Sequence, residues 1–298
     1  MNDVILLVGH GSRSKAGNEE IYNFAEQWRA RNPRWHIETC FIEFADVLLD
    51  KGFDIAATKG SRVVVVPLIL NAAGHVKMEL PAHLAEARLR HPNTEFILSR
   101  HLGATDPILS ILKRELRQAM SSLDMPDPRA SGVVILGRGS SDRIANGEVS
   151  KMARWLFEET DHELVDVAFT GVTFPRIETV VQRQVQLGMT QIIVMPYYLF
   201  TGTLVERIER QVQHLRQQYP TVRFAKSNYF GFADEIFEVL NQRVRENIEI
   251  QDGPNMLECD GCKYRKIAEE HGHGHHHHGD DQSHAHDHHC QEHHEATA

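Results

Sequence analysis

The chain has 298 residues, 41% of them hydrophobic, and a formal net charge of −9. That length and apolar content suffice for one large or two ordinary folded domains. Five acids and no Lys or Arg lie in residues 271–298, so the remaining body is nearly balanced and lacks the broad basic face that nucleic acid requires.

The longest apolar run, residues 63–70, is far short of a membrane span, and the N-terminus carries no secretion-signal pattern. A cytoplasmic protein is expected, with neither a membrane nor a nucleic acid as partner. Apolar runs at 4–8, 36–43, 62–70 and 94–99 predict strands, and helical periodicity at 17–31, 45–58, 76–90 and 106–121 predicts the helices between them. Strands apolar on both faces and joined by helices imply an α/β fold whose parallel sheet is covered on both sides.

The second half restates the first. LVGHGSRS (7–14) matches ILGRGSSD (135–142), RVVVVPLILNAAG (62–74) matches QIIVMPYYLFTG (191–202), and LGATDPILSIL (102–112) matches FGFADEIFEVL (230–240), at offsets of 128 or 129. Two tandem similar domains follow, 1–125 and 130–248, joined through the proline-bearing SSLDMPDPRAS. A third region, 249–298, has a different composition.

His10, Glu43 and His75 each fall at the carboxyl end of a predicted strand, the edge where open parallel sheets bind ligands. Two imidazoles and a carboxylate form a donor set suited to Co, Ni, Fe or Zn. The second half has Arg138, Gly171 and Leu204 at these positions, so it keeps the glycines and strands and loses every candidate ligand. The loop at residues 9–17 has neither G-x-G-x-x-G nor G-x-x-x-x-G-K-[ST] spacing, and Ser12 lacks the G-x-S-x-G turn, which weakens the phosphate-binding and hydrolase readings. His83, His91, His101, His162 and His214 read as structural or solvated. Glu79 reads as facing water, with orientation of His75 as the alternative.

Twelve of the 28 residues from 271 onward are histidine, a composition that cannot bury a core and predicts a tail disordered without metal; interspersed Gly, Asp and Cys fit storage or delivery of cobalt or nickel better than an expression tag. Cys259-x-x-Cys262 and Cys290 suit zinc about as well as an iron–sulfur cluster by spacing, whereas Cys40 lies inside a predicted strand as a small buried residue.

LLVGHGSR, then PLILNAAGHVKMELP after an apolar strand, then a weaker second copy, resemble the sirohydrochlorin chelatase family in its long, cobalt-inserting CbiX type. The resemblance spans the chain and implies tandem chelatase-like domains, the second degenerate. It implies ATP-independent insertion of Co²⁺ into sirohydrochlorin in cobalamin biosynthesis, with His10, Glu43 and His75 as metal residues and His10 also as proton acceptor. The alternatives are the ferrochelatase of sirohaem synthesis and a non-enzymatic cobalt or nickel store. The substrate's eight carboxylates make Arg13, Lys15, Lys77, Arg138 and Arg143 candidate clamps. The same likeness assigns Cys259, Cys262 and Cys290 to a [4Fe–4S] cluster, although Met256 stands one residue further out than in the family's Met-x-Cys-x-x-Cys pattern. The fourth ligand would be a histidine, a second chain, which would give a homodimer through the tail, or nothing.

Overall fold

The structure, a computed structural model, describes residues 3–248 other than 72 and 74, and the side chains of His75 and Val76 also lie outside it. Strands and helices alternate along the whole of this span. The first repeat runs β1 (Asp3–Gly9), α1 (Lys15–Arg31), β2 (His36–Phe41), α2 (Leu49–Lys59), β3 (Arg62–Leu68), α3 (Leu80–Arg90), β4 (Glu95–Leu98) and α4 (Asp106–Ser121). The second runs β5 (Ser131–Gly137), α5 (Arg143–Glu158), β6 (Leu164–Phe169), α6 (Ile177–Gln186), β7 (Gln191–Pro196), α7 (Thr203–Gln218), β8 (Arg223–Lys226) and α8 (Asp234–Ile248).

Each repeat builds a four-stranded parallel sheet, ordered β2-β1-β3-β4 and β6-β5-β7-β8. The register repeats with the sequence: Val8 pairs with Pro67 and Leu136 with Pro196. Because side chains alternate along a strand, Val4, Leu6 and Val8 of β1 face one way, where they meet Leu49 and Phe53 of α2 and Leu80 and Leu84 of α3. Ile5 and Leu7 face the other way, toward Phe24 and Trp28 of α1 and Ile108 and Leu112 of α4.

This second face does not end at the repeat. α1 and α4 belong to one continuous core with α5 and α8, in which Phe24 stacks on Phe237 with ring centroids 4.1 Å apart and planes 4° from parallel. Trp28 Nε1 donates to Asn241 Oδ1 at 2.8 Å, and the buried Arg243 donates to the carbonyls of His101 and Leu102 at 3.2 and 3.1 Å. The two repeats are therefore fused through an apolar layer that either alone would expose to water.

Several boundaries differ from the sequence expectation, and those following β2 and β3 bear on the site. β2 ends at Phe41 rather than 43, and α2 starts at Leu49 rather than 45. The intervening segment loops back so that Phe41 N donates to Val47 O at 2.8 Å and Phe41 bridges Leu48. The predicted helix 76–90 begins instead as a single π-helical turn, His75–Glu79, before α3 proper. Among the described residues no helix is long and apolar enough to cross a membrane.

Candidate metal centre and adjoining cavity

The connection leaving β1 runs to β2 on one side, and the connection from β2 returns to β3 on the other, so the carboxyl end of β1 is the switch point of the sheet. Gly9 is in register with both Phe41 and Leu68, which brings the ends of all three strands level. Beyond β2 the chain keeps hydrogen bonding to the β1 loop: Ile42 N donates to Gly9 O at 3.0 Å and Glu43 N to His10 O at 3.1 Å. These bonds carry the Glu43 carboxylate to His10, with Nδ1 and Oε1 3.5 Å apart and both side chains about one third exposed (31% and 33%).

The approach is close enough to dictate the next residue. Gly11 has φ +86°, and a Cβ there would lie 1.7 Å from Glu43 O, so only glycine fits. The Gly11 carbonyl lies 3.1 Å from His10 Nδ1. With two oxygens gathered at Nδ1, the favoured tautomer carries its proton there and leaves the lone pair on Nε2.

The loop is held by an arrangement that the sequence reading missed. Asn18 clamps Ser12, accepting from Ser12 N at 2.7 Å and donating to Ser12 O at 2.8 Å, while Ser12 Oγ accepts from Ser14 N at 3.0 Å. Asn146, Ser140 and Asp142 make the same three bonds in the second repeat at 2.9, 2.8 and 3.0 Å. The signal was present as G-x-G-S followed by Asn six residues after the serine, once in each copy.

His75 begins the π turn that follows β3, at the same rim; its side chain lies outside the described residues. The structure thus brings His10 and Glu43 together and sets the backbone of His75 beyond the strand that neighbours theirs. Cys259, Cys262 and Cys290, with the rest of 249–298, also lie outside the described residues.

A cavity of about 470 Å³ opens beside His10, between the repeats. His10, Asn71 and Glu79 line it from the first repeat, and Arg138, Ser140 and Asn146 from the second. Arg138 takes the backbone place of His10: Gly171 N donates to Arg138 O at 3.0 Å, as Glu43 N does to His10 O. Near it, burial pushes the Tyr198 hydroxyl up to about 12, against the opposing pull of Arg138 and Arg207, and Tyr198 shares a 2.8 Å hydrogen bond with Thr170.

The other candidate clamps are placed differently. The Arg13 guanidinium lies over the Phe44 ring at 5.0 Å, and Lys15, 92% exposed, pairs with Glu19 at 3.5 Å; neither lines the cavity. Arg143 is exposed at the start of α5, and Lys77 is hydrogen-bonded to Asp142 across the gap between repeats. Of the histidines expected to be structural or solvated, His83 pairs with Asp50 at 2.9 Å, His91 with Asp54 at 2.7 Å and His101 with Glu148 at 3.0 Å.

A model of the CbiX family matches the chain twice, over residues 4–119 and 132–247. A sirohydrochlorin cobaltochelatase of Priestia megaterium is 38% identical to it over 270 residues, covering 90% of this chain and 86% of that protein. A sirohydrochlorin ferrochelatase of Bacillus subtilis (strain 168) is 31% identical over 270 residues, covering 90% of this chain and all of that protein (100%). Among solved structures, SirB from Bacillus subtilis with Fe³⁺ superposes with a TM-score of 0.73 at 29% identity, covering 84% of this chain and 96% of that one.

Proposed function

The chain belongs to the CbiX family, and from that membership we propose that it inserts Co²⁺ into sirohydrochlorin, without ATP, for cobalamin biosynthesis. The observation that carries this reading is the His10–Glu43 pair, held at the switch point and opening onto a cavity whose far wall bears Arg138.

Metal insertion needs two pyrrole protons removed and the ion's water shell displaced. Imidazole suits both tasks, since it accepts a proton or donates a lone pair near neutral pH. In this reading Glu43 and His75 hold the arriving ion, and His10, its ring oriented by Glu43 and the Gly11 carbonyl, offers the one lone pair of Nε2 in turn, as ligand to the ion and, once the ion has passed to the ring, as acceptor of a pyrrole proton. The substrate's carboxylates meet Arg138 inside the cavity, with Arg13 and Lys15 further out on the rim. The imidazoles of residues 271–298 act as a reservoir for the ion.

Cobalt is preferred to iron because identity to a cobaltochelatase, 38%, exceeds that to ferrochelatases, 31% and 27%. Anaerobic incubation of the full chain with sirohydrochlorin and Co²⁺, Fe²⁺ or Ni²⁺, followed by absorbance, tests the reading. Fastest insertion of Co²⁺ is expected; faster insertion of Fe²⁺ moves the protein to sirohaem synthesis, and no insertion of any ion removes the activity.

A further inference from the structure

Lys77 and Asp142 pair across the two repeats, each next in sequence to residues of the cavity wall without lining it themselves. Lys77 sits in the π turn of the first repeat, immediately before Met78 and Glu79 of the cavity wall, and Asp142 sits in the second repeat, immediately after Ser140 and Ser141 of the opposite wall. Lys77 Nζ donates to Asp142 Oδ2, while Asp142 Oδ1 accepts from Ile144 N at 2.9 Å and so caps α5. Both groups keep partial access to water, with side-chain exposures of 38% and 23%. The contact ties the two repeats together beside the cavity.

π-helical turns are rare and tend to fall at functional sites, and this one has no counterpart in the second repeat, where α7 starts directly at Thr203. The ammonium of Lys77 is therefore delivered to the cleft by a feature of the first repeat alone, and its partner is supplied by the other. Nothing about packing demands a cation there: the pair is partly solvated and lies outside the three apolar clusters. A partly exposed pair of this kind contributes little to stability, and its place beside residues of both cavity walls suits recognition of an anionic ligand.

We propose that Lys77 is a specificity-determining residue whose carboxylate partner is exchanged. With the cleft unfilled its counterion is Asp142; when a polycarboxylate macrocycle arrives, one of the substrate's carboxylates takes Lys77 and the tie between repeats is released. Asp142 is the internal competitor, presenting the same chemical group that the substrate presents. The exchange moves no covalent bond and no proton. It rests on the reading of the chain as a sirohydrochlorin chelatase, and it adds a gate to that reading: an anion-bearing ring opens the cleft by substitution, while a ring without anionic arms does not.

The test measures binding of sirohydrochlorin without metal, by quenching of its fluorescence, together with KM and kcat for Co²⁺ insertion, on the full chain. Asp142→Asn retains a good helix cap while losing the charge, and is expected to tighten binding and lower KM by about two- to fivefold. Lys77→Gln is expected to weaken binding by about tenfold, leaving kcat within about twofold. In the Lys77→Gln background, Asp142→Asn should no longer tighten binding beyond relief of its own repulsion, so the double variant falls between the single ones. A purely structural tie predicts the opposite sign for Asp142→Asn, weaker binding with a lowered melting temperature, and that result overturns the proposal; so does unchanged affinity in Lys77→Gln. If the wild-type chain neither binds nor metallates sirohydrochlorin, the chelatase reading itself fails, and the exchange falls with it.

Discussion

The two repeats share a frame and differ in what it carries. Strand order, the register of the proline in β3 and β7, the glycine with positive φ after β1 and β5, and the Asn clamp on the following serine all occur twice. Phe44 and Val172, at the same step of the two loops, even share a left-handed conformation, φ 60° and 59°. What occurs once is the His10–Glu43 pair and the π turn that starts at His75; their places in the second copy are held by Arg138, Gly171 and a regular helix start. The shared features satisfy backbone hydrogen bonds and steric limits that any such loop must meet. The unshared ones are those on which the proposed function rests, and they define its proposed metal-binding half and its proposed anion-binding half.

The largest effect should come from breaking the metal-binding half. His10→Ala is expected to lower kcat for Co²⁺ insertion by about 10²–10⁴-fold, the range for removing an acid–base group, with the melting temperature nearly unchanged because the ring is not part of the apolar core. Activity within a few-fold of wild type would erase the distinction between the repeats.

A paired substitution sharpens it. Asn18→Ala and Asn146→Ala each remove two hydrogen bonds to a loop serine, and both should cost about 1–3 kcal/mol in chemical unfolding. Their kinetic signatures should diverge: Asn18→Ala loosens the loop under His10 and lowers kcat, whereas Asn146→Ala loosens the loop under Arg138 and raises KM. Identical signatures would mean that both loops serve the same step.

A smaller change is expected in the anion-binding half. Arg138→Ala should raise KM for sirohydrochlorin by about tenfold with kcat little altered, as loss of one charge-assisted contact predicts. An unchanged KM removes Arg138 from the site.

The smallest effect concerns stability alone. His162, 7% exposed where the first repeat has the exposed Arg34, has its imidazole pushed below its ordinary 6.5 by burial, which outweighs nearby Asp161. A histidine depressed in the folded state binds fewer protons there than in the unfolded chain, so stability falls as pH drops below about 6.5. His162→Gln should flatten that part of a melting-temperature profile; an unaltered profile assigns the acid sensitivity elsewhere.

Much of this was legible in the residues. Apolar runs five to nine residues long, alternating with helical periodicity, read as strands, and the doubled blocks at offsets of 128 or 129 disclosed both copies. His10 and Glu43 could be paired because residues at strand ends converge whenever a parallel sheet forms. The limits came from loops: β2 lost its last two residues to the loop and α2 started four residues late, because the Phe41–Val47 bond and the Phe41–Leu48 bridge are local closures that periodicity does not encode. Asn18 was overlooked since a lone polar residue on a helix looks solvated until its partner is seen.

Sequence alone determined the α/β class, the duplication and which copy carries His10, Glu43 and His75, because hydrophobic period and repeated residues are properties of the chain order. Only the tertiary structure decided that the two copies share one core, that Arg138 faces the same cavity as His10, and that Lys77 reaches Asp142. Those relations join residues 65 to 213 positions apart through the packing of α1 and α4 against α5 and α8, and such contacts are set by the fit of two surfaces rather than by any local preference.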